Sequence, residues 1–105
     1  MPMTILAWSF DSELGSRAML KKLNELGLGA WEEGDSAYHD YLAGRLTQQG
    51  VARFYAVGGH HVVNLRFYSK EGDAQAQLRA AKQVLLDQVL PALGARDVQP
   101  TEPFE

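Results

Sequence analysis

VARFYAVGGHHVVNLRFY, Val51 to Tyr68, decides the fold. Two runs rich in β-branched and aromatic residues flank Gly58-Gly59, and a diglycine supplies the positive φ angles of a tight primed turn. With those two residues as the loop, Val57 faces His60, Ala56 faces His61, Phe54 faces Val63 and Ala52 faces Leu65. One face is then Ala52, Phe54, Ala56, Val63, Leu65 and Phe67. The other is Arg53, Tyr55, Asn64, Arg66 and Tyr68, with Val51, Val57 and Val62. A four-residue loop keeps these faces but sets Arg53 against Arg66, and a three-residue loop puts Asn64 opposite Phe54. Like charges in register are unfavourable, and a one-residue slip turns every side chain over, so the two-residue turn is expected. The dry face then needs a cover.

Working outward, Met3 to Phe10 reads as a strand that is apolar on both parities, hence central. Asp11-Ser12 offers an N-cap for a helix from about Glu13 to Leu26, with Met19, Leu20, Leu23 and Leu26 as its buried stripe. Gly15 weakens the first turn, which moves the start toward Ser16. Gly27 suits C′, with Leu28 as the hydrophobic contact of a Schellman stop. Ala30 to Glu33 fits a short strand, Gly34-Asp35-Ser36 a turn, and Tyr38 to Leu46 either a strand or a helical turn.

Beyond the hairpin, Asp73 is the expected N-cap of a second helix whose stripe is Ala74, Leu78, Ala81, Leu85 and Val89. Pro91 predicts a kink or an end, and Gly94 a terminator. Ala95 to Gln99 fits a short edge strand, and residues 100–105 a Pro-containing tail that is loose or lies across the surface. The expected class is α+β, a ferredoxin-like βαββαβ sandwich over residues 1–99. Two helices cover one face of an antiparallel sheet that has room for one extra strand.

A chain of 105 residues with 46% hydrophobic content supports one core without staples. It has no cysteine, so neither a disulfide framework nor thiolate chemistry is expected. The start has no basic n-region and only a short apolar run, so neither a signal peptide nor a membrane span is expected, and the cytoplasm is the expected compartment. A net charge of −3 argues against nucleic acid as a partner.

One surface asks for an explanation. Trp31-Glu32-Glu33-Gly34-Asp35-Ser36-Ala37-Tyr38-His39-Asp40-Tyr41 holds four carboxylates and three large aromatics, with neither Lys nor Arg. It is a solvated connection with tucked aromatics, or a patch that binds a basic protein through Trp31, Glu32, Glu33, Asp35, Tyr38, His39, Asp40 and Tyr41. A metal site from Glu33, Asp35, His39 and Asp40 has suitable ligand types but no strong ligand spacing, and acid–base work by a carboxylate with His39 lacks any sign of convergence. Neither a metal nor a cofactor is expected.

His60-His61 reads as polar turn surface. The polar hairpin face, Arg53, Tyr55, Arg66 and Tyr68, is a secondary surface. RNA-recognition domains of this plan stack bases on sheet aromatics, but ARFYAV lacks their glycine–aromatic signature. Its two arginines are expected to pair with Glu32 or Glu33 on a neighbouring strand. Glycine-rich phosphate loops, nucleophile elbows and metalloprotease helices are all missing.

The expected function is protein binding, in its most concrete form an immunity or inhibitor protein that blocks a basic, nucleic-acid-handling toxin through an acidic aromatic surface. The alternative is a small enzyme or ligand-binding protein of the dimeric α+β barrel type, with His39 or His61 beside a carboxylate. A barrel dimer would dry Tyr55, Val62 and Tyr68, whereas a monomeric binder would leave them wet.

Overall fold

The computed structural model describes residues 3–27, 29–35, 40–46, 50–57, 59–68 and 74–104. In chain order the elements are β1 (Met3–Asp11), α1 (Ser16–Glu25), β2 (Trp31–Asp35), β3 (Asp40–Arg45), β4 (Gly50–Val57), β5 (His60–Tyr68), α2 (Ala74–Val84), α3 (Leu90–Ala92) and β6 (Arg96–Thr101). The strands form one sheet in the order β2-β3-β4-β5-β1-β6, every neighbouring pair antiparallel.

The hairpin has the register read from its sequence: Val57 pairs with His60, Ala56 with His61, Phe54 with Val63 and Ala52 with Leu65. Gly59 takes φ +86°, as the tight turn requires. The four-strand plan with room for a fifth is exceeded. β2 and β3 both form, and they extend the sheet beyond β4, so strand number and order depart from βαββαβ. Gly34 and Asp35 belong to β2 rather than to a turn, and Asp40–Arg45 is strand rather than helix. Ser36 to His39 lie outside the described residues.

Each strand of this added hairpin carries one aromatic over a glycine of the other. Trp31 lies opposite Gly44 and Tyr41 opposite Gly34, and a Cβ on either glycine would meet the facing ring at 2.2 Å or 2.5 Å respectively. Glycine packs poorly in a strand, and an aromatic laid across it restores the lost contact and pins the register. The two pairs sit on opposite faces, so both faces specify one alignment.

The helices lie on the face of Trp8, Phe10, Phe54, Val63 and Leu65. Met19 and Leu23 from α1, and Ala81, Leu85, Val89 and Leu90 from the second helical stretch, join them in one buried cluster. α1 starts at Ser16 with Gly15 as a cap lacking a side chain. The expected cap residue, Ser12, instead accepts from the Leu14 amide at 3.2 Å and donates to the Leu93 carbonyl at 2.7 Å, tying β1 to the far helix end. Asp73 and Leu28 lie outside the described residues.

Pro91 has the effect that its missing donor requires. The helix passes from α2 through a π-helical turn, Leu85–Val89, and resumes as α3. The Leu90 amide bonds to the Leu85 carbonyl, so the register widens just before the proline removes an ordinary i→i−4 bond. Gly94 at φ +65° then closes a Schellman stop, with Ala95 N–H on Leu90 O and Gly94 N–H on Pro91 O, both at 3.1 Å.

β6 extends through Pro100, which is tolerated because the strand is an edge. Asp97 at φ +53° takes up the extra residue of a bulge opposite Ser9 and Asp11. Beyond it the chain crosses the outer sheet face, where Asn64 accepts from the Phe104 amide at 3.0 Å and donates to the Phe104 carbonyl. Asn64 is 1% exposed, and it pairs with the tail as a neighbouring strand would. Among the described residues, no helix is long and apolar enough to cross a membrane.

Candidate functional site

The two helices leave one end of their sheet face open. There a cleft of about 550 Å³ lies between the start of α1 and the far ends of β2, β3, β4 and β5. Leu42, Phe54 and Met19 form its apolar floor, and Glu33, Asp35 and Asp40 stand on its rim with His61 at its end. The size is that of an ordinary ligand pocket.

Strand alternation explains the rim. In β2, the residues sharing the face of Trp31 are Glu33 and Asp35, and in β3 the face of Leu42 also takes Asp40. Asp35 and Asp40 lie directly opposite each other. Like charges in that position oppose strand pairing, and the described lining holds neither Lys nor Arg to offset them.

His61 lies on the same face because Phe10 and Ala56 flank it in the register. Its ring stacks on Phe10 at 5.3 Å and 20°. Burial lowers its pKa below 6.5, outweighing the bond with the Ser12 backbone and the charge of Asp11, which act upward, while neighbouring His60 adds to the lowering. The imidazole is thereby kept neutral near pH 7. His60 points to the other face, where its Nδ1 lies 2.7 Å from Asp11 Oδ1.

The alternation also divides the acidic segment. Trp31 is 4% exposed and lies against Phe54 at 5.7 Å, so its ring is part of the core. Glu32 and Tyr41 fall on the outer face. Tyr38 and His39 lie outside the described residues, so the metal set and the acid–base pair that use His39 do too. Among the described residues, no group of three His, Asp or Glu side chains could hold a metal ion.

The outer face holds the rest. Arg53 stacks over the Tyr41 ring at 4.5 Å, Tyr41 lies 5.7 Å from Tyr55, and Phe104 covers Tyr55 at 4.9 Å. Tyr55 is consequently 1% exposed, dried by the chain's own tail. Val62 is half-buried, and the Tyr68 side chain lies outside the described residues. The expected pairing of Arg53 or Arg66 with Glu32 or Glu33 is not made, because β3 separates β2 from β4 and Glu33 faces the other way.

Sequence reasoning read His61 first as turn surface and, only in the barrel-type alternative, as a pocket residue beside a carboxylate; it passed over Leu42, Phe54, Met19 and Ala56 as cleft lining. The parity of His61 with Val63 and Leu65 was the available signal. No protein-family model matches this chain, and comparison with curated proteins finds no significant match.

Proposed function

We propose that this domain binds a basic protein, taking a cationic side chain into the cleft between α1 and the β2–β3 hairpin. The observation that carries this is the rim of Glu33, Asp35 and Asp40, with two aspartates directly across a strand pair and no cation beside them in the described lining. An apolar floor below a carboxylate rim fits the two-part chemistry of lysine or arginine, whose methylene stem packs while the charged head is paired. A nucleic-acid-handling toxin held by an immunity or inhibitor protein is a partner of that chemistry, and carboxylates that mimic phosphates would speed its capture. The inner strands β4-β5-β1-β6 read as a ferredoxin-like unit extended by the β2–β3 hairpin, a plan that hosts many functions.

The test is an amide NMR titration of the intact chain with a peptide of alternating lysine and leucine. Saturable shifts centred on Glu33, Asp35, Asp40 and His61 are expected. Shifts confined to other surfaces, or none, would overturn the assignment.

His61 favours a second reading, a small-ligand protein or enzyme of the dimeric α+β barrel type. A neutral imidazole at the end of a carboxylate-lined cleft is a competent general base. This reading requires a dimer that persists at high salt, and a monomeric mass by light scattering at all concentrations would dismiss it.

A further inference from the structure

We infer that β2 is the docking edge for an extended segment of a basic protein, which joins the sheet as a further strand and lays cationic side chains along Glu33 and Asp35. This rests on the reading of the cleft as a site for a basic partner, and it adds the conformation and residue pattern of the segment that enters.

β2 ends the sheet, and among the described residues no strand lies beyond it. Asn24 of α1 fixes which of its backbone groups face outward. The Asn24 side chain accepts from the Trp31 amide at 2.9 Å and donates to the Trp31 carbonyl at 3.5 Å. Both Trp31 groups therefore turn away from β3. Along an antiparallel pair that orientation alternates from residue to residue. Glu32 and Gly34 then bond to β3, while Glu33 and Asp35 direct their N–H and C=O to the edge. Asn24 closes the edge at Trp31, so the open stretch runs from Glu33 to Asp35. Glu33 and Asp35 are exposed. A row of edge N–H and C=O groups is a template for another strand.

The side chains state what the added strand must carry. A residue paired with Glu33 across this edge has its side chain on the cleft side, as has the residue paired with Asp35. Each meets a carboxylate on the cleft rim. Asp35 also lies directly across from Asp40, so a lysine beside Asp35 offsets the charge of both. The intervening residue pairs with Gly34 and points to the outer face. Gly34 has no side chain there, and the Tyr41 ring lies across it, which gives an apolar side chain a ring to pack on. The pattern is cation–apolar–cation. A second copy of this chain does not fit, because β2 against β2 sets acidic edge on acidic edge, and like charges oppose strand pairing.

The experiment measures solvent exchange of the backbone amides in the intact chain, alone and with a short peptide of alternating lysine and leucine. At saturating peptide the Glu33 and Asp35 amides should exchange at least about tenfold more slowly, while those of Glu32 and Gly34, already bonded to β3, change little. Two further peptides carry N-methyl groups, one on every lysine and the other on every leucine. An added strand uses the donors of one set only, so affinity should fall at least about tenfold for one peptide and hold for the other. Saturable shifts at Glu33, Asp35, Asp40 and His61 without slowed exchange at Glu33 and Asp35, or equal losses for the two methylated peptides, would overturn strand addition and leave the cleft as a site for single cationic side chains. No shifts at those four residues would remove the cleft site itself, and the docking edge with it.

Discussion

Alanine at Gly44 and alanine at Gly34 should differ sharply in cost, although both create a clash of similar depth. At Gly44 the new Cβ would lie 2.2 Å from Trp31 Cδ2 and 2.5 Å from Cε2 and Cε3. Trp31 is 4% exposed and packs on Phe54, so its ring can yield only by disturbing the core. Overpacking a filled core costs about 1–3 kcal/mol, occasionally more. Partial expulsion of an indole adds to this at roughly 25 cal/mol for each Å² exposed. Alanine recovers about 0.5–1 kcal/mol over glycine in a strand. The net loss is about 2–4 kcal/mol.

At Gly34 the Cβ would lie 2.5 Å from Tyr41 Cε1. Tyr41, however, is half-buried on the outer face and can swing aside. That movement forfeits the Arg53 stacking, about 0.5–1 kcal/mol, which the strand gain of alanine offsets. The net change lies within about 1 kcal/mol. Urea unfolding reads both. With a slope of about 1–3 kcal/mol per molar, the Gly44→Ala midpoint should fall by roughly 1 M or more, and that of Gly34→Ala by a few tenths, both at unchanged slope. Trp31→Leu combined with Gly44→Ala should recover part of the loss. Equal shifts at the two glycines would refute the interlock, as would a Gly44→Ala protein of wild-type stability.

Other consequences follow from the same contacts. Asn64→Ala removes both bonds to Phe104, so it should cost about 1–3 kcal/mol. It should also raise the amide exchange of Phe104, and a double-mutant cycle with Phe104→Ala should show coupling; additive losses would mean that the tail is not held there. His61 has its folded pKa below the unfolded value of 6.5. The unfolded chain therefore binds more protons as the pH falls through 6.5, and stability should decline on acidification until the folded pKa is passed. His61→Gln should flatten that part of the stability–pH curve relative to wild type, and identical curves would contradict the burial of the ring.

The hairpin register was legible because two alternating apolar runs met a diglycine, and alternatives put like charges or mixed faces in contact. The helix stripes were legible for a similar reason: spacing of three and four residues has one solution. The β2–β3 hairpin was not, because its strands are specified by pairs. Trp31 needs Gly44 and Tyr41 needs Gly34, and neither half shows alternation by itself. Tyr38, Tyr41 and Leu42 fit a helix by spacing, yet Tyr41 and Leu42, as neighbours in a strand, face opposite ways. The candidate site was legible as composition only. Trp31 to Tyr41 marked the acidic segment, but strand alternation sent Glu33, Asp35 and Asp40 to the cleft, Trp31 to the core, and Glu32 and Tyr41 to the far face. The tail's crossing depends on Asn64, and one buried asparagine leaves no pattern to find.

The acidic cleft is tested most directly by the association rate of a labelled lysine–leucine peptide, measured across ionic strength for wild type, Glu33→Lys and Asp35→Lys. Steering by the rim predicts a rate that falls steeply with salt in the wild type, and a lower, flatter dependence in each variant. Superimposable salt slopes for the three proteins would show that Glu33 and Asp35 do not guide a cationic partner, and the assignment of the cleft would be wrong.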